Sequence, residues 1–256
     1  MNSFYTKRGE IYTPTDYVTG PWDTDHCHAG PPCGLLMHSI HAVDPAMGIS
    51  RVTFEIERQI PKLPVATHTE ILRGGRKVQL VRGQLIGTEG QVYLTAHAWL
   101  IRIDTQAAPQ IPFDGSLPKP PAECPVLPIR LPGGISFFDA VEIRAASGTP
   151  FGGGRATAWM RPRVPLVESA VVSPYAMTAL AADSANGVAR IAPFEELIAI
   201  NTDLTVYFAR KPVGDWVAID ASTISQGLGL GMTDSMVYDA SGFVGRSNQS
   251  IFFDAA

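Results

Sequence analysis

Residues 52–101 have the sequence VTFEIERQIPKLPVATHTEILRGGRKVQLVRGQLIGTEGQVYLTAHAWLI, and residues 204–253 have the sequence LTVYFARKPVGDWVAIDASTISQGLGLGMTDSMVYDASGFVGRSNQSIFF. The two stretches align without a gap at a constant offset of 152 positions. The identities are few and evenly spread: Thr53/Thr205, Arg58/Arg210, Val65/Val217, Gly75/Gly227, Gly90/Gly242 and Val92/Val244. Self-similarity at a fixed offset indicates two copies of one structural unit.

Each copy has the pattern of a meander of four long antiparallel strands. The predicted strands are Arg51–Gln59, Val65–Leu72, Arg76–Thr88 and Gln91–Arg102, then Asp203–Lys211, Trp216–Thr223, Gly229–Asp239 and Phe243–Phe253. The dipeptides Glu89-Gly90 and Ser241-Gly242 are typical of hairpins, so the last two strands of each copy should pair directly. We expect the repeated glycines to lie in turns at positive φ.

One helical segment precedes each meander. Gly34–Val43 and Tyr175–Asn186 have apolar residues on nearly all sides, as a helix covered by a sheet would. The sequence therefore predicts an α+β protein in which two curved antiparallel sheets each wrap around a central helix, which is a double hotdog. A single large β-sandwich would explain the long strands, but neither the helical segments nor the constant offset.

A proline-rich connector separates the two copies. Eight prolines fall between residues 104 and 134, at positions 109, 112, 118, 120, 121, 125, 128 and 132. Prolines at this density exclude a helix or a central strand. The predicted units are therefore 1–103 and 135–256, joined by the connector 104–134.

Composition excludes several classes of protein. The chain has 256 residues with a formal net charge of −4, and it has no basic run, so a nucleic-acid partner is not expected. No apolar run is long enough for a membrane span, and the N-terminus does not resemble a signal peptide. Three cysteines, an odd and sparse set, predict free thiols in a reducing compartment, and we expect a cytoplasmic protein.

No cofactor is predicted. Asp25-His26-Cys27-His28 and Cys33 could suggest a metal site, but the second pair of ligands that zinc usually requires is missing. The chain also lacks the G-x-S-x-G motif of serine hydrolases and the phosphate-binding G-x-x-x-x-G-K-[ST] loop.

Three polar residues interrupt apolar patterns in the second copy. Asp183 follows a run of alanine and leucine in the predicted helix, where it is either a functional carboxylate or a solvent-facing helix end. Asn201 begins a strand, with Thr202 beside it on the other face. Gln249 shares its strand face with apolar residues and aligns with His97 of the first copy.

Several segments resemble the acyl-CoA thioesterase II family of double-hotdog proteins. They are HAGPPCGLL (28–36), ILRGGRKVQLVRGQL (71–85), ADSANG (182–187), INTDLTVYFARKPVGDWV (200–217) and VYDASGFVGRSNQS (237–250). The resemblance implies that Asp183, Asn201 and Gln249 activate a water for attack on the thioester of an acyl-CoA. The family pattern has a threonine at the middle position, so Thr202 is an alternative to Asn201.

The resemblance also implies one active site per chain. In the first copy, Ser39 or Ile40 takes the helix position of Asp183. The first copy would therefore contribute only to the wall of the active site and to its structural support. Two other functions stay open: an acyl-CoA or acyl-chain binding protein without activity, and a hotdog enoyl-CoA hydratase, although its D-x-N-x-x-H pattern is absent. Because long edge strands invite pairing, we expect a homodimer or a higher homo-oligomer.

Overall fold

The computed structural model describes residues 2–256, and thirteen strands of this range form one continuous antiparallel sheet. The strands are β1 (Tyr5–Arg8), β2 (Ile11–Pro14), β3 (Met47–Ile56), β4 (Val65–Arg73), β5 (Val78–Gly87), β6 (Val92–Arg102), β7 (Val141–Gly148), β8 (Arg155–Pro162), β9 (Leu197–Asn201), β10 (Asp203–Phe208), β11 (Val217–Ser225), β12 (Leu230–Asp239) and β13 (Gly242–Ala255). The helices are α1 (Gly30–His41), α2 (Phe137–Ala140), α3 (Pro174–Ala182) and α4 (Ala185–Val188). The strand order is β1-β2-β4-β5-β6-β3-β10-β13-β12-β11-β8-β7, and β9 pairs with β13.

The internal repeat is visible in the strand boundaries. β4 and β11 begin at Val65 and Val217, and β5 and β12 begin at Val78 and Leu230, so both pairs keep the offset found in the sequence. β3 and β10 join the two halves edge to edge. Thr53 lies opposite Thr205 there, and their hydroxyls are 3.1 Å apart. Each threonine is the repeat counterpart of the other, so the junction pairs equivalent strands.

Helices α1 and α3 pack tightly against each other in the core. A Cβ on Gly30 would lie 2.6 Å from the carbonyl oxygen of Leu180, and one on Gly34 would lie 3.1 Å from that of Ala176. A real side chain does not fit at the first distance, so glycine is required for this approach of the two backbones. The contact places the beginning of α1 beside the end of α3.

The second predicted helix is shorter than its apolar pattern suggests. Instead of running from Tyr175 to Asn186, it ends at Ala182, and α4 begins at Ala185. The first predicted helix begins four residues early, at Gly30, because Pro31 and Pro32 are compatible with a first helical turn. The strands β1, β2, β7 and β9 were not predicted, since they are short or lie in segments without regular alternation.

Three of the four repeated glycines have the backbone conformation predicted for them. Gly90, Gly227 and Gly242 have φ of +88°, +76° and +125°. The prediction is wrong for Gly75, which does not have a positive φ. Gly75 is restricted by space instead, because a Cβ there would lie 2.7 Å from the carbonyl oxygen of Val78.

The proline-rich connector packs on the outer face of the second half. The Phe113 ring stacks on Phe243 with centroids 4.1 Å apart, and the Trp159 indole N–H donates to the Lys119 carbonyl at 2.7 Å. The connector is therefore an ordered layer over the sheet.

The two terminal strands of the large sheet bond to other segments of the chain. The Leu127 N–H donates to the Ile143 carbonyl of β7 at 2.8 Å, and the Tyr5 N–H of β1 donates to the Leu166 carbonyl at 2.9 Å. On its side away from β5, β4 pairs with β2 only at Val65 and Ala66, so most of this edge has no strand partner. The oligomeric state remains a prediction.

Candidate active site

A cavity of about 280 Å³ lies where the two halves of the chain meet. Its walls come from residues 20–29 and 56–60 of the first half and from residues around α4 and β9 of the second half. Four aromatic rings line it: Trp22, Phe138, Phe151 and Phe194. The volume is near the lower end for small-molecule sites, so the cavity suits a small, largely apolar group.

Asp183 is the buried carboxylate of this cavity. It caps the C-terminal end of α3, where the helix breaks before α4, and only 5% of the residue is exposed. A carboxylate removed from water to this extent requires hydrogen-bonding partners. Asn201 donates to one of its oxygens, and the His28 imidazole lies next to the other.

Asn201 and His28 hold the two oxygens of Asp183. Asn201 Nδ2 donates to Oδ1 at 2.9 Å, and His28 Nδ1 lies 3.1 Å from Oδ2. Asn201 ends β9, and His28 comes from the first half of the chain, two residues before α1. The carboxylate is therefore fixed between strand β9 and the entry to α1.

His28 was not predicted as a site residue. Its ring stacks on Phe137 with centroids 4.0 Å apart, and its Nδ1 lies 3.0 Å from the Gly30 backbone nitrogen. Nδ1 has one in-plane position for a hydrogen bond, so it either accepts from Gly30 or donates a proton to Asp183. Whether Nδ1 carries a proton therefore decides whether the imidazole bonds to the Asp183 carboxylate or to Gly30.

Gln249 holds the backbone at the break between α3 and α4 through two hydrogen bonds. Its Oε1 accepts the backbone N–H of Asn186 at 3.0 Å, and its Nε2 donates to the Asp183 carbonyl at 3.1 Å. It is 2% exposed and is not among the residues that line the cavity. Of the two residues predicted to act with Asp183, Asn201 therefore contacts its carboxylate, whereas Gln249 contacts its backbone.

Thr202 does not take the place of Asn201. It is exposed at the cavity wall, and its backbone pairs with neighbouring strands through the Ser250 carbonyl and the Ile56 N–H. The Asp203 carboxylate accepts the Ser250 N–H at 2.7 Å, so it caps a strand and does not face Asp183.

Comparisons with known protein families identify the chain. The model of the acyl-CoA thioesterase N-terminal domain matches residues 18–101, and the model of the C-terminal domain matches residues 121–253. The chain belongs to the acyl-CoA thioesterase family. It is accordingly a thioesterase, and the predicted family is confirmed.

Solved structures share the fold of this thioesterase. An acyl-CoA thioesterase II from Mycobacterium marinum is 19% identical with a TM-score of 0.66, covering 96% of this chain and 94% of that one. A hot dog fold protein of unknown function from Alicyclobacillus acidocaldarius is 16% identical with a TM-score of 0.75, covering 98% and 96%. The tesB protein of Mycobacterium avium subs paratuberculosis is 16% identical with a TM-score of 0.70, covering 98% and 95%. No curated protein matches the sequence.

The first half of this thioesterase lacks the equivalent polar residues. The offset of the repeat places Ile49 opposite Asn201. The strand register also shows that Gln249 and His97 are not equivalent. Gln249 pairs with Thr233. The repeat counterpart of Thr233 is Val81, which pairs with Ala98. His97 therefore lies on the other face of its strand, and the alignment of His97 with Gln249 is not a structural equivalence.

Within residues 2–256, no three histidine, cysteine, aspartate or glutamate side chains are grouped as metal ligands would be. All three cysteines are free, and burial raises the pKa of Cys27 to about 12. None of the helices in this range is both long and apolar enough to cross a membrane.

Proposed function

We propose that this thioesterase hydrolyses acyl-CoA to the free acid and CoA, with Asp183 as the general base for water. The observation that supports this most strongly is the buried Asp183 carboxylate at the cavity wall, held at both oxygens by Asn201 and His28. A thioester is activated enough for attack by water without a covalent enzyme nucleophile.

The reaction can be written with the groups of the site. Asp183 takes one proton from a water while the water oxygen bonds to the thioester carbonyl carbon. The tetrahedral intermediate collapses, the carbon–sulfur bond breaks, and the proton held by Asp183 returns to the leaving CoA sulfur. Acyl-CoA and water thus give a carboxylic acid and a thiol, and the carboxylate is regenerated.

The neighbouring residues have different roles in this proposal. Asn201 orients Asp183 through its amide nitrogen, and its side-chain oxygen can accept a hydrogen bond from the water. His28 stabilises the second oxygen of Asp183 and shares its proton. Gln249 is a positioning residue, because its two hydrogen bonds hold the backbone on both sides of the break between α3 and α4.

We further propose that the chain is a double hotdog with one active site. The repeated strand boundaries and the pairing of Thr53 with Thr205 support two equivalent units, 1–103 and 135–256, on either side of the connector 104–134. His28 and the cavity wall at residues 20–29 come from the first unit, which supports its role as part of the site rather than as a second catalyst.

Thiol release from acyl-CoAs of graded chain length tests the function directly. We expect release of CoA that depends on the protein and on Asp183. With an enoyl-CoA, loss of the conjugated double bond without thiol release would indicate a hydratase instead. This control is needed because the structure brings His28 to Asp183, although the sequence has no nearby D-x-N-x-x-H histidine. Stoichiometric binding without turnover of any acyl-CoA would contradict the proposal.

A further inference from the structure

Arg190 is an enclosed cation in the wall of the same cavity. It follows α4, it is only 1% exposed, and it is among the largest fully buried side chains of the chain. Its guanidinium lies over the Phe194 ring at 3.7 Å from the centroid and near Trp22 at 5.3 Å. Burial lowers the pKa of Arg190, and the charge of the nearby Glu195 offsets this only in part.

The hydrogen bonds of Arg190 leave most of its donors unused. Nη2 donates to the carbonyl oxygens of Pro193 and Leu197, whereas Nε is enclosed without a partner. Arg190 takes part in none of the ion pairs of residues 2–256, each of which has nitrogen and oxygen within 4.0 Å. Buried arginines are normally paired with an anion, so the arrangement is incomplete without one.

A second unpartnered donor lies on the same wall. Ser184 follows Asp183 directly, is 3% exposed, and its hydroxyl has no partner among the residues described. Asn186 Oδ1 is also enclosed and unpartnered, but it is an acceptor and suits a hydroxyl or a water. Ser184 is therefore, with Arg190, an enclosed donor without a partner among the residues that line the cavity.

We propose that the acyl group taken by this site ends in a carboxylate, which Arg190 binds inside the cavity. The inference rests on the proposed hydrolysis at Asp183, and it assigns the substrate class as CoA monothioesters of short dicarboxylic acids. A carboxylate matches the planar donor geometry of a guanidinium. The small cavity limits the chain between the thioester and the carboxylate to a few carbon atoms.

A phosphate of CoA is the other anion that could reach an arginine. The exposed Arg58 lies at the cavity wall and is accessible to a phosphate from outside, whereas Arg190 is enclosed behind Trp22 and Phe194. In the proposed binding mode the acyl end enters the cavity and meets Arg190. Thioesters of pantetheine, which lack the nucleotide phosphates, separate the two sources experimentally.

The test compares adipoyl-CoA with hexanoyl-CoA, which differ only at the distal end of the acyl chain. We expect the wild-type kcat/KM to favour adipoyl-CoA by about tenfold or more, because a site built to bind a charged group discriminates against a ligand without it. Arg190→Met should abolish or reverse this ratio, and Arg190→Lys should keep part of it. The same preference should persist with the pantetheine thioesters.

The ratio of kcat/KM for adipoyl-CoA to that for hexanoyl-CoA distinguishes a contact of Arg190 with the substrate from a role of Arg190 in folding. Arg76→Met, an exposed arginine in the turn between β4 and β5, removes the same charge away from the cavity and should leave the ratio unchanged. Equal loss of both activities in the Arg190 variants, or a wild-type preference for hexanoyl-CoA, would overturn the inference. A loss of the Arg190 effect with pantetheine thioesters would assign the arginine to phosphate and overturn it as well. Absence of hydrolysis of any thioester would instead contradict the proposed function.

Discussion

At the scale of single residues, the site depends on how one buried carboxylate is held. Asp183 is buried, and the Asn201 hydrogen bond at one of its oxygens offsets part of the cost of desolvation, while His28 lies next to the other oxygen. Removing either neighbour leaves a buried polar atom without a partner. The two neighbours therefore make separate and testable contributions.

Asn201→Ala should reduce kcat by about 10- to 100-fold, which is less than the loss of a general base, because Asp183 remains but loses its orientation. Thr202→Ala is the matched control, since Thr202 lies beside Asn201 and does not contact Asp183. Steady-state kinetics of the two variants show whether Asn201 or Thr202 takes the middle role. A larger loss in Thr202→Ala would assign the middle role to the threonine.

His28→Phe should keep the stacking on Phe137 and remove the nitrogen that faces Asp183. We expect a fall in kcat of about tenfold or more, because the second oxygen of Asp183 loses its neighbour. His26→Phe is the control, since His26 lines the same cavity but bonds Asp23. An unchanged kcat in His28→Phe would contradict a role of His28 in the reaction.

Asp183, Asn201 and Gln249 each interrupt an apolar pattern, but it was the resemblance to the acyl-CoA thioesterase II family that selected them together as site residues. His28 could not be selected from the sequence pattern, since its partner is distant in the chain and no local signal connects them. Only the close packing of α1 on α3, which depends on Gly30 and Gly34, brings the entry of α1 to the end of α3. The real role of Gln249 at the backbone was equally hidden.

Among the strands, Arg58 and its repeat counterpart Arg210 make different contacts. Arg210 makes two bonds of 2.6 Å to Asp239, which is 1% exposed at its side chain, and so fixes the end of β10 to the hairpin of β12 and β13. In the first half, Gly87 takes the position of Asp239, and Arg58 is exposed beside the cavity. The strands were predictable from their alternation, but this difference in pairing was not.

Asp239→Asn should lower the free energy of unfolding by about 3 kcal/mol at neutral pH, near the lower end for a broken buried pair because Arg210 is partly exposed. Burial opposes ionisation of Asp239, but bonds from Arg210, Val213 and Ser241 hold its pKa below the usual value. The stabilisation is therefore present above about pH 4 and is lost as the pH falls through the lowered pKa. Urea denaturation across pH measures this. A difference between the proteins that grows on acidification would contradict the assignment.

At the scale of the whole molecule, the connector contributes to packing as well as to connection. Its proline content correctly excluded a helix or a central strand, but it could not reveal that Phe113 stacks on Phe243 or that the Trp159 indole bonds Lys119. Contacts between distant segments of irregular chain have no periodic signal in the sequence. The same holds for the segments that cover β1 and β7.

Phe113→Ala should lower the free energy of unfolding by about 2–3 kcal/mol, because a stacked and partly buried ring is lost, and should make the connector more sensitive to proteolysis. Ile111→Ala is the control, since Ile111 is 86% exposed and should change stability by less than about 0.5 kcal/mol. Equal proteolysis of both variants and the wild type would show that the packing of the connector contributes little.

In the proposed mechanism, the Asp183 carboxylate takes the proton of the attacking water. Asp183→Asn retains the volume and a hydrogen-bonding amide but removes the base, so turnover of acyl-CoA should fall by about 10²- to 10⁴-fold while acyl-CoA binding persists. Adding Gln249→Ala or Asn201→Ala should cost little more, because residues that act as one unit are not additive. Turnover and melting temperature measured on one Asp183→Asn sample decide the matter. We expect a folded, binding-competent and nearly inactive protein, and full thioesterase activity in that sample would rule out Asp183 as the general base.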